Sequence, residues 1–268
     1  MLAPSSVIKK TAKTALSGNF LKSAAVSCIA VFTYFIGIII ASMLSLVGGD
    51  AATIVFLILF TVFVFSPIAI GCLCYFRRLL WGQNDSALIV FRYFSSKDEY
   101  KRALRLTIIL TLKLLAAALA LFFPSLVVRA LSSEWFYSVF DLPVPVWTSS
   151  LWTLNSILTT LASLLLCFVM LKYYISVFLF VGDDNMHPAE AVNMSAIISR
   201  RTGADFFGLV CSFIGWILLS LFVAPLIFIV PYFLMSYCVH CRFAVTAYNR
   251  EVDKFNLKDT PHYRVDEM

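Results

Sequence analysis

The sequence is poor in charged residues. Only 13% of its 268 residues are Asp, Glu, Lys or Arg, whereas roughly a quarter of the residues of a soluble domain are charged. Apolar residues make up 61% of the chain, and the mean hydropathy is +0.90. A water-soluble fold cannot bury that much apolar surface, and no polar stretch is long enough to form a soluble core. The composition therefore predicts a membrane protein.

The sequence also lacks the short motifs of common enzymes and nucleotide-binding proteins. It contains no Walker loop, dinucleotide fingerprint, paired-histidine zinc motif or nucleophile elbow. None of the seven cysteines falls in a segment expected outside the membrane, so no disulfide framework is implied. The basic residues form no stripe with interleaved aromatics, which argues against nucleic acid. We expect no enzymatic activity and no cofactor.

Long apolar runs are present instead. A helix needs about 20 apolar residues to cross about 30 Å of hydrocarbon. The last run, 206–248, would exceed about 60 Å as one helix, so we expect it to fold back near Val223, Ala224 and Pro225. Pro231 is then expected to kink the last helix or to begin its regular part. The sequence predicts an all-α polytopic bundle with six transmembrane helices, at residues 23–47, 51–76, 106–128, 151–174, 206–222 and 226–248.

The basic residues indicate the orientation. Lys and Arg are concentrated in cytoplasmic loops of membrane proteins. With the N-terminus inside, nearly all of the 21 basic residues lie in inner segments; Arg129 lies outside and Lys113 lies within a span. We therefore predict one membrane domain at 1–250 and a short cytoplasmic tail at 251–268. The outer loop 129–150 carries aromatics that we interpret as an interfacial belt: Trp135, Phe136, Tyr137 and Trp147.

Three segments are expected to lie on the inner membrane surface as short helices. In the first, Ile8, Ala12, Ala15 and Leu16 share one side, Lys9, Lys10 and Lys13 share the other, and Gly18 offers a C-cap. The second is the stretch 85–105. The third begins at Pro188 and ends at Gly203, with Ala191, Met194 and Ile198 opposite Asn193 and Arg200.

Several of these segments resemble the motifs of a known family. They are Leu16 to Phe20, Tyr93 to Lys97, Phe180 to Asn185, Ser212 to Trp216, and Val230-Pro231-Tyr232 followed by Tyr248. In this order they resemble the bacterial membrane family known as domain of unknown function 975. The chain departs from the family at Ala204-Asp205 and at Val223-Ala224-Pro225. The resemblance implies a multi-pass protein of the bacterial cytoplasmic membrane and no agreed reaction.

Two sets of residues in the spans are candidates for packing or for ligand binding. Small residues at four-residue or near four-residue spacing allow helices to approach closely, and they occur at Gly215 and Gly208 with Ala204 and at Gly37 with Thr33 and Ala41. Trp216 would fill the space beside Gly215, and we interpret a helix-packing motif at Phe213, Gly215, Trp216, Pro231 and Tyr232. Lys113 is the charged residue inside a span; it either reaches back to the inner headgroups or, with Asn155 and Thr159, lines a polar path.

Two clusters suggest metal sites, and each has a simpler interpretation. Cys238, His240 and Cys241 supply only part of a zinc ligand set, so packed cysteines are favoured. Asp183, Asp184 and Glu190 lack the spacing of a calcium loop and suit the N-terminal entry of a helix. No metal site is predicted.

The leading hypothesis is a non-enzymatic membrane interaction or scaffold protein. Its basic inner loops would bind anionic lipid headgroups, a partner protein or a second copy of the chain. A small transporter or channel is the alternative, and a membrane enzyme of lipid metabolism is the third possibility.

Overall fold

The computed structural model describes residues 4–139, 148–219 and 223–254. Within these ranges the chain is helical and has no strand, which confirms the all-α fold class. The helices are α1 (Ser5–Leu16), α2 (Phe20–Phe60), α3 (Ser66–Leu80), α4 (Arg92–Ser95), α5 (Lys97–Ser132), α6 (Glu134–Val139), α7 (Thr148–Met170), α8 (Ser176–Gly182), α9 (Pro188–Cys211), α10 (Ile214–Leu219) and α11 (Val223–Lys254). A π-helical turn, Thr61–Phe65, joins α2 to α3, and a 3-10 turn, Ala87–Phe91, precedes α4.

Five helical segments of the described chain are long and apolar enough to cross a bilayer. They are Phe20–Leu46, Gly49–Leu80, Lys97–Ser132, Ser150–Met170 and Leu226–Asp253. These segments coincide with the first four predicted spans and the sixth. The protein is therefore a multi-pass helical membrane protein.

The predicted span 206–222 is divided in the structure. Its first part is the end of α9, a turn follows at Ser212 and Phe213, and α10 continues to Leu219. Residues 220–222, where the chain was expected to approach its turn, lie outside the described residues, as do the side chains of Val223 to Pro225. Pro231 lies inside α11, so it does not begin that helix.

Helix α1 is amphipathic, as its periodicity predicts. Ile8, Ala12 and Leu16 are buried, and Gly18 follows the helix with a positive φ of 86°, the conformation that favours glycine after a helix end. Lys9 departs from the prediction. It lies against Phe213 instead of facing the headgroups, because α1 packs on α11 rather than lying alone on the membrane.

Helix α9 also begins as predicted but extends further. Pro188 occupies its first turn, and Ala191, Met194 and Ile198 are buried. The prediction that Gly203 ends the helix is wrong, since α9 continues to Cys211. A glycine inside a helix costs only about 1 kcal/mol, and α9 also packs against α8 and α11.

The predicted surface helix at 85–105 is likewise wrong as a single element. Ser86 caps the 3-10 turn through its side chain, α4 follows, and extended backbone at Ser96 separates α4 from α5. Hydroxyl side chains that bond to nearby backbone favour such breaks over a continuous helix.

The contacts of the chain divide it into two compact units. One is Leu110–Tyr173, and the other combines Met1–Ile109 with Tyr174–Met268. In the larger unit, α3 packs against α8, α11 and the 3-10 turn. Gly71 of α3 lies so close to the turn that a Cβ there would come within 2.7 Å of the carbonyl carbon of Val90. The absence of a side chain at Gly71 permits this approach.

The first two predicted spans, 23–47 and 51–76, are joined by a sharp turn. Gly49 has a φ of 71° and a ψ of −177° and separates the two helical parts of α2. The parts then run side by side, and a Cβ on Gly37 would lie 2.6 Å from a ring carbon of Phe60. The predicted role of Gly37 in close helix packing is therefore confirmed.

Candidate anion-binding pocket

A polar cavity of about 210 Å³ lies where α3, α4 and α8 end or begin. The last turn of α3 supplies Arg77 and Arg78, and the chain turns sharply at Gly82, whose φ is 77°. The cavity is lined by Arg77, Arg78, Trp81, Gln83, Arg92, Val181 and Asp184. Three of these seven side chains are guanidinium groups, so an anion is the ligand that the lining favours.

Arg77 is the most unusual of these residues. It is only 7% exposed, and its Nε has no hydrogen-bond partner among the described residues. Its guanidinium lies 5.0 Å from the ring centre of Trp81 and 5.1 Å from that of Phe178. It forms no ion pair with a described carboxylate. A buried charge without a counter-ion is costly, and an anion in the cavity would remove that cost.

Arg92 and Arg102 are held by Asp184. The Arg92 guanidinium donates to Asp184 at 2.8 Å and to Glu99 at 3.2 Å, and Arg102 lies 3.7 Å from the Asp184 carboxylate. Burial alone would lower the pKa of Arg92, but the hydrogen bond and charge of Asp184 outweigh it and raise that pKa above its usual range. The Arg92 guanidinium is therefore charged at any physiological pH.

Aromatic side chains hold this network in place. Tyr93 and Phe180, both buried, stack with their ring centres 6.1 Å apart. Arg102 lies 4.4 Å from the ring centre of Phe180 and donates to the carbonyl of Met186 at 3.0 Å. Burial raises the pKa of Tyr93, which keeps its phenol neutral. The arginines are thus positioned by packing as well as by charge.

The cluster carries a surplus of positive charge. Arg78 pairs with Asp85 at 3.2 Å, and the exposed Arg242 lies 5.1 Å from the ring centre of Trp81. Arg78, Arg92 and Arg102 pair with three carboxylates, those of Asp85, Glu99 and Asp184, whereas Arg77 and Arg242 form no ion pair with a described carboxylate. The surplus of two charges lies around Arg77 and Trp81, where it matches a dianion.

The acidic cluster predicted at the entry of α9 divides between two roles. Glu190 lies in the first turn of α9, so the helix-entry interpretation is confirmed for Glu190. At the same helix end, the Nδ1 of His187 accepts a hydrogen bond from the backbone amide of Ala189. Asp183 accepts from the amide of Asn185 at 2.8 Å. Asp184 instead belongs to the arginine network.

Cys238 and Cys241 are buried in α11, and His240 between them is buried as well. The Nε2 of His240 lies 2.9 Å from the hydroxyl of Tyr174, which in turn lies 2.9 Å from the hydroxyl of Thr202. Over the described residues, no group of three or more His, Cys, Asp or Glu could hold a metal ion. The arrangement fits the interpretation that these side chains pack between helices.

The polar-path residues lie in the smaller unit. Lys113 Nζ lies 5.6 Å from the ring centre of Tyr173, and Asn155 and Thr159 are half-buried in α7. The hydroxyl of Ser163 donates to the carbonyl of Thr159 at 2.8 Å. A ligand at Lys113, Asn155 or Thr159 stays a prediction.

The predicted helix-packing motif contains both packed and open positions. Phe213 is fully buried, with its ring centre 5.4 Å from that of Tyr232 and 5.3 Å from that of Phe233. A Cβ on Gly215 would meet no described atom within 4 Å, and Trp216 is half-exposed. Among these residues, the aromatic rings rather than the glycine make the contacts. Of the aromatic belt, Tyr137 is buried, and the side chains of Trp135, Phe136 and Trp147 lie outside the described residues.

The arginine pocket was not predicted from the sequence. Its basic residues were interpreted only as markers of the inner membrane side. The spacing of Arg77 and Trp81, one helical turn apart, was the available signal for a guanidinium stacked on an aromatic ring. The pairing of Arg92 with Asp184 joins residues 92 positions apart and left no local pattern.

Comparisons with known proteins found no relative of this chain. No family model, no curated protein and no solved structure matches the chain. Membership in the family known as domain of unknown function 975 stays a prediction.

Proposed function

We propose that this integral membrane protein is a non-enzymatic interaction protein that binds a phosphate-bearing anion in its arginine pocket. The observation that supports this proposal is Arg77, a buried guanidinium that lines a cavity and has no carboxylate partner among the described residues. The ligand is either the headgroup of an anionic lipid or a soluble phosphate compound. Both present negatively charged, non-bridging phosphate oxygens to the arginines.

The chemistry of the lining favours phosphate over other anions. Guanidinium groups bind phosphate through paired N–H donors, more specifically than a lysine does. Gln83 adds an amide that can donate, and Trp81 offers an aromatic wall. The cavity of about 210 Å³ exceeds the roughly 30 Å³ that one water occupies in the liquid. It therefore has room for a phosphate with part of the alcohol attached to it.

The proposal extends to location. We place the protein in the bacterial cytoplasmic membrane with both termini and the arginine pocket on the cytoplasmic side. The basic residues at the helix ends support this orientation, and the resemblance to the bacterial family supports the compartment. The test is cysteine labelling in intact cells, with single cysteines at the exposed positions Lys97 and Ser138. Labelling of Ser138→Cys alone agrees with the proposal, and labelling of Lys97→Cys alone refutes it.

The binding test uses purified full-length protein in a neutral detergent. Titration calorimetry with glycerol phosphate measures the soluble ligand, and native mass spectrometry with phosphatidylglycerol measures the lipid. Arg77→Gln is expected to weaken binding about tenfold or more, because it removes a charge-assisted contact of about 1.5–3 kcal/mol. Arg105→Gln, an equal charge change at an exposed position of α5, serves as the matched control.

The two binding measurements distinguish a soluble phosphate compound from a lipid headgroup as the ligand. Binding of glycerol phosphate that depends on Arg77 indicates a soluble ligand, and retention of phosphatidylglycerol that depends on Arg77 indicates a lipid. Equal effects of Arg77→Gln and Arg105→Gln would mean that only overall charge matters. The proposal would also fail if neither ligand bound to the folded wild-type protein.

A further inference from the structure

A second cavity lies in the larger unit, away from the arginines. It has a volume of about 840 Å³, within the range of roughly 300–1,000 Å³ that small-molecule sites occupy. Its lining is mostly apolar and comes from α1, the start of α2, α10 and α11. We call this cavity the α1 groove.

The walls of the α1 groove are aromatic. Phe20 and Phe228 stack with their ring centres 5.5 Å apart, and Trp216 contributes a half-exposed indole. Phe20 begins one candidate span, and Phe228 lies near the start of another. These walls are therefore at a surface that the bilayer covers, and an acyl chain is the natural filling for an apolar space there.

The rim of the groove on α1 is basic and polar. Lys10 and Lys13 line it together with the hydroxyl residues Thr14 and Ser17. The three lysines of α1 differ in their contacts. Lys9 donates to the carbonyl of Ser212 at 2.9 Å and lies 4.4 Å from the ring centre of Phe213. By contrast, Lys10 and Lys13 form no ion pair with a described carboxylate.

We infer that the α1 groove binds one anionic glycerophospholipid from the surrounding bilayer. The acyl chain lies against Phe20, Phe228 and Trp216, and the headgroup phosphate is bound by Lys10 and Lys13. Charge complementarity selects the headgroup, since a basic rim favours an anionic lipid over a zwitterionic one. This site is independent of the arginine pocket and shares no residue with it.

Helix α1 is seated firmly enough to form such a site. Ile8, Ala12 and Leu16 are buried, and the hydroxyl of Tyr232 donates to the backbone carbonyl of Lys9 at 3.4 Å. The lysines that face the groove are therefore held on a fixed helix. A surface helix that binds lipid by diffuse attraction alone would not bury one face against the protein.

The test uses Trp216 as a local probe. In the full-length chain, Trp81, Trp135, Trp147 and Trp152 are replaced by Phe, and the protein is placed in vesicles of phosphatidylcholine. A minor fraction of lipid carries bromine on its chains, which quench a tryptophan in contact with them. Brominated phosphatidylglycerol is expected to quench Trp216 several-fold more than the same fraction of brominated phosphatidylcholine.

Matched lysine variants distinguish lipid binding in the α1 groove from a general effect of surface charge. Lys10→Gln and Lys13→Gln are each expected to reduce the preference for phosphatidylglycerol about fivefold, following the effect of one basic residue near an anionic surface. Lys97→Gln and Lys101→Gln remove equal charge at exposed positions of α5 and are expected to leave it unchanged. Circular dichroism verifies that each variant is folded.

Four outcomes would overturn the inference. Equal quenching by the two brominated lipids would exclude headgroup selection, and equal losses in both pairs of lysine variants would exclude the groove. Displacement of the quenching lipid by glycerol phosphate would show that the site binds a soluble phosphate. Absence of quenching together with cross-links between Trp216 regions of two chains would assign the groove to a second copy.

Discussion

Helices α3 and α7 are both rich in apolar residues, yet their surroundings differ. Eleven of the fifteen residues of α3 are buried, including Gly71 and Arg77. In the candidate span Ser150–Met170, which covers most of α7, only 6% of the most apolar window is buried within the protein. A helix that is buried in the protein and a helix that is mostly exposed can therefore both be rich in apolar residues.

The difference in burial between α3 and α7 follows from the lipid that surrounds a membrane protein. Lipid chains are as apolar as leucine, so an exposed leucine on α7 gains little by turning toward another helix. Association depends instead on small residues and on polar contacts. Helix α3 has both, with Gly71, Cys72 and Cys74 on its buried surface and Arg77 at its end. The proposed chemistry of the protein lies on the packed helix and its neighbours.

The largest effect is expected from truncating a buried ring. Phe180→Ala should lower the free energy of unfolding by about 3–5 kcal/mol, because it leaves a cavity beneath Tyr93 and Arg102. Phe123→Ala, at a position of α5 that is 65% exposed, should change it by less than about 0.5 kcal/mol. Denaturant unfolding in detergent micelles measures both. Similar losses of unfolding free energy in the two variants would show that Phe123 is packed as tightly as Phe180.

The next largest effect is expected from adding a side chain at Gly71, where α3 lies against the backbone of Val90. Gly71→Leu should destabilise the protein by about 3 kcal/mol, because the new side chain meets the backbone of Val90, which cannot rotate away. Gly208→Ala is the control, since a Cβ there meets nothing within 4 Å. It should be neutral or stabilise by up to about 1 kcal/mol. A neutral Gly71→Leu in the same unfolding assay would contradict the contact.

A smaller effect is expected from Asp184→Asn. The substitution removes the carboxylate that competes with a bound phosphate for Arg92 and Arg102. Phosphate affinity should therefore rise by about tenfold, an energy of about 1.4 kcal/mol. Stability should fall by about 1 kcal/mol or less, because Asp184 is partly exposed. The exposed Asp98→Asn is the charge-matched control, and calorimetry measures binding for both. Lower affinity for Asp184→Asn would refute the pocket geometry.

The smallest effect concerns pH. The ligand itself titrates in this range, since a phosphate monoester gains its second negative charge near pH 6. Affinity for glycerol phosphate should therefore rise a few-fold between about pH 5.5 and 7.5, as the dianion becomes the main form. Inorganic sulfate, which keeps its charge over this range, should show no such rise. A decline of phosphate affinity with pH would indicate a titrating protein group instead.

Sequence analysis predicted the features that depend on local pattern. Apolar runs predicted five of the segments that can span a membrane, and periodicity predicted α1 and the start of α9. It placed the end of α9 wrongly at Gly203, because a helical glycine costs only about 1 kcal/mol and α9 also packs against α8 and α11. Propensity cannot reveal that packing without knowledge of the neighbours.

The arginine pocket lay beyond such reasoning for a different physical reason. Arg77 lies in α3, Arg92 in α4 and Asp184 in the turn between α8 and α9, and their contacts depend on how these segments pack. Lys9 shows the same limit on a smaller scale. Its spacing predicted a headgroup contact, but the presence of Phe213 beside α1 turned it toward the protein.

The turn at Gly49 has a consequence for how the chain enters the membrane. Asp50, the charged residue beside the turn, is the main polar cost of carrying the tip of this hairpin across the bilayer. That cost is about 2.5–3.5 kcal/mol even at the bilayer centre, far less than two apolar helices gain on leaving water. The two parts of α2 can therefore insert together as a single hairpin during synthesis, with no soluble segment to translocate between them.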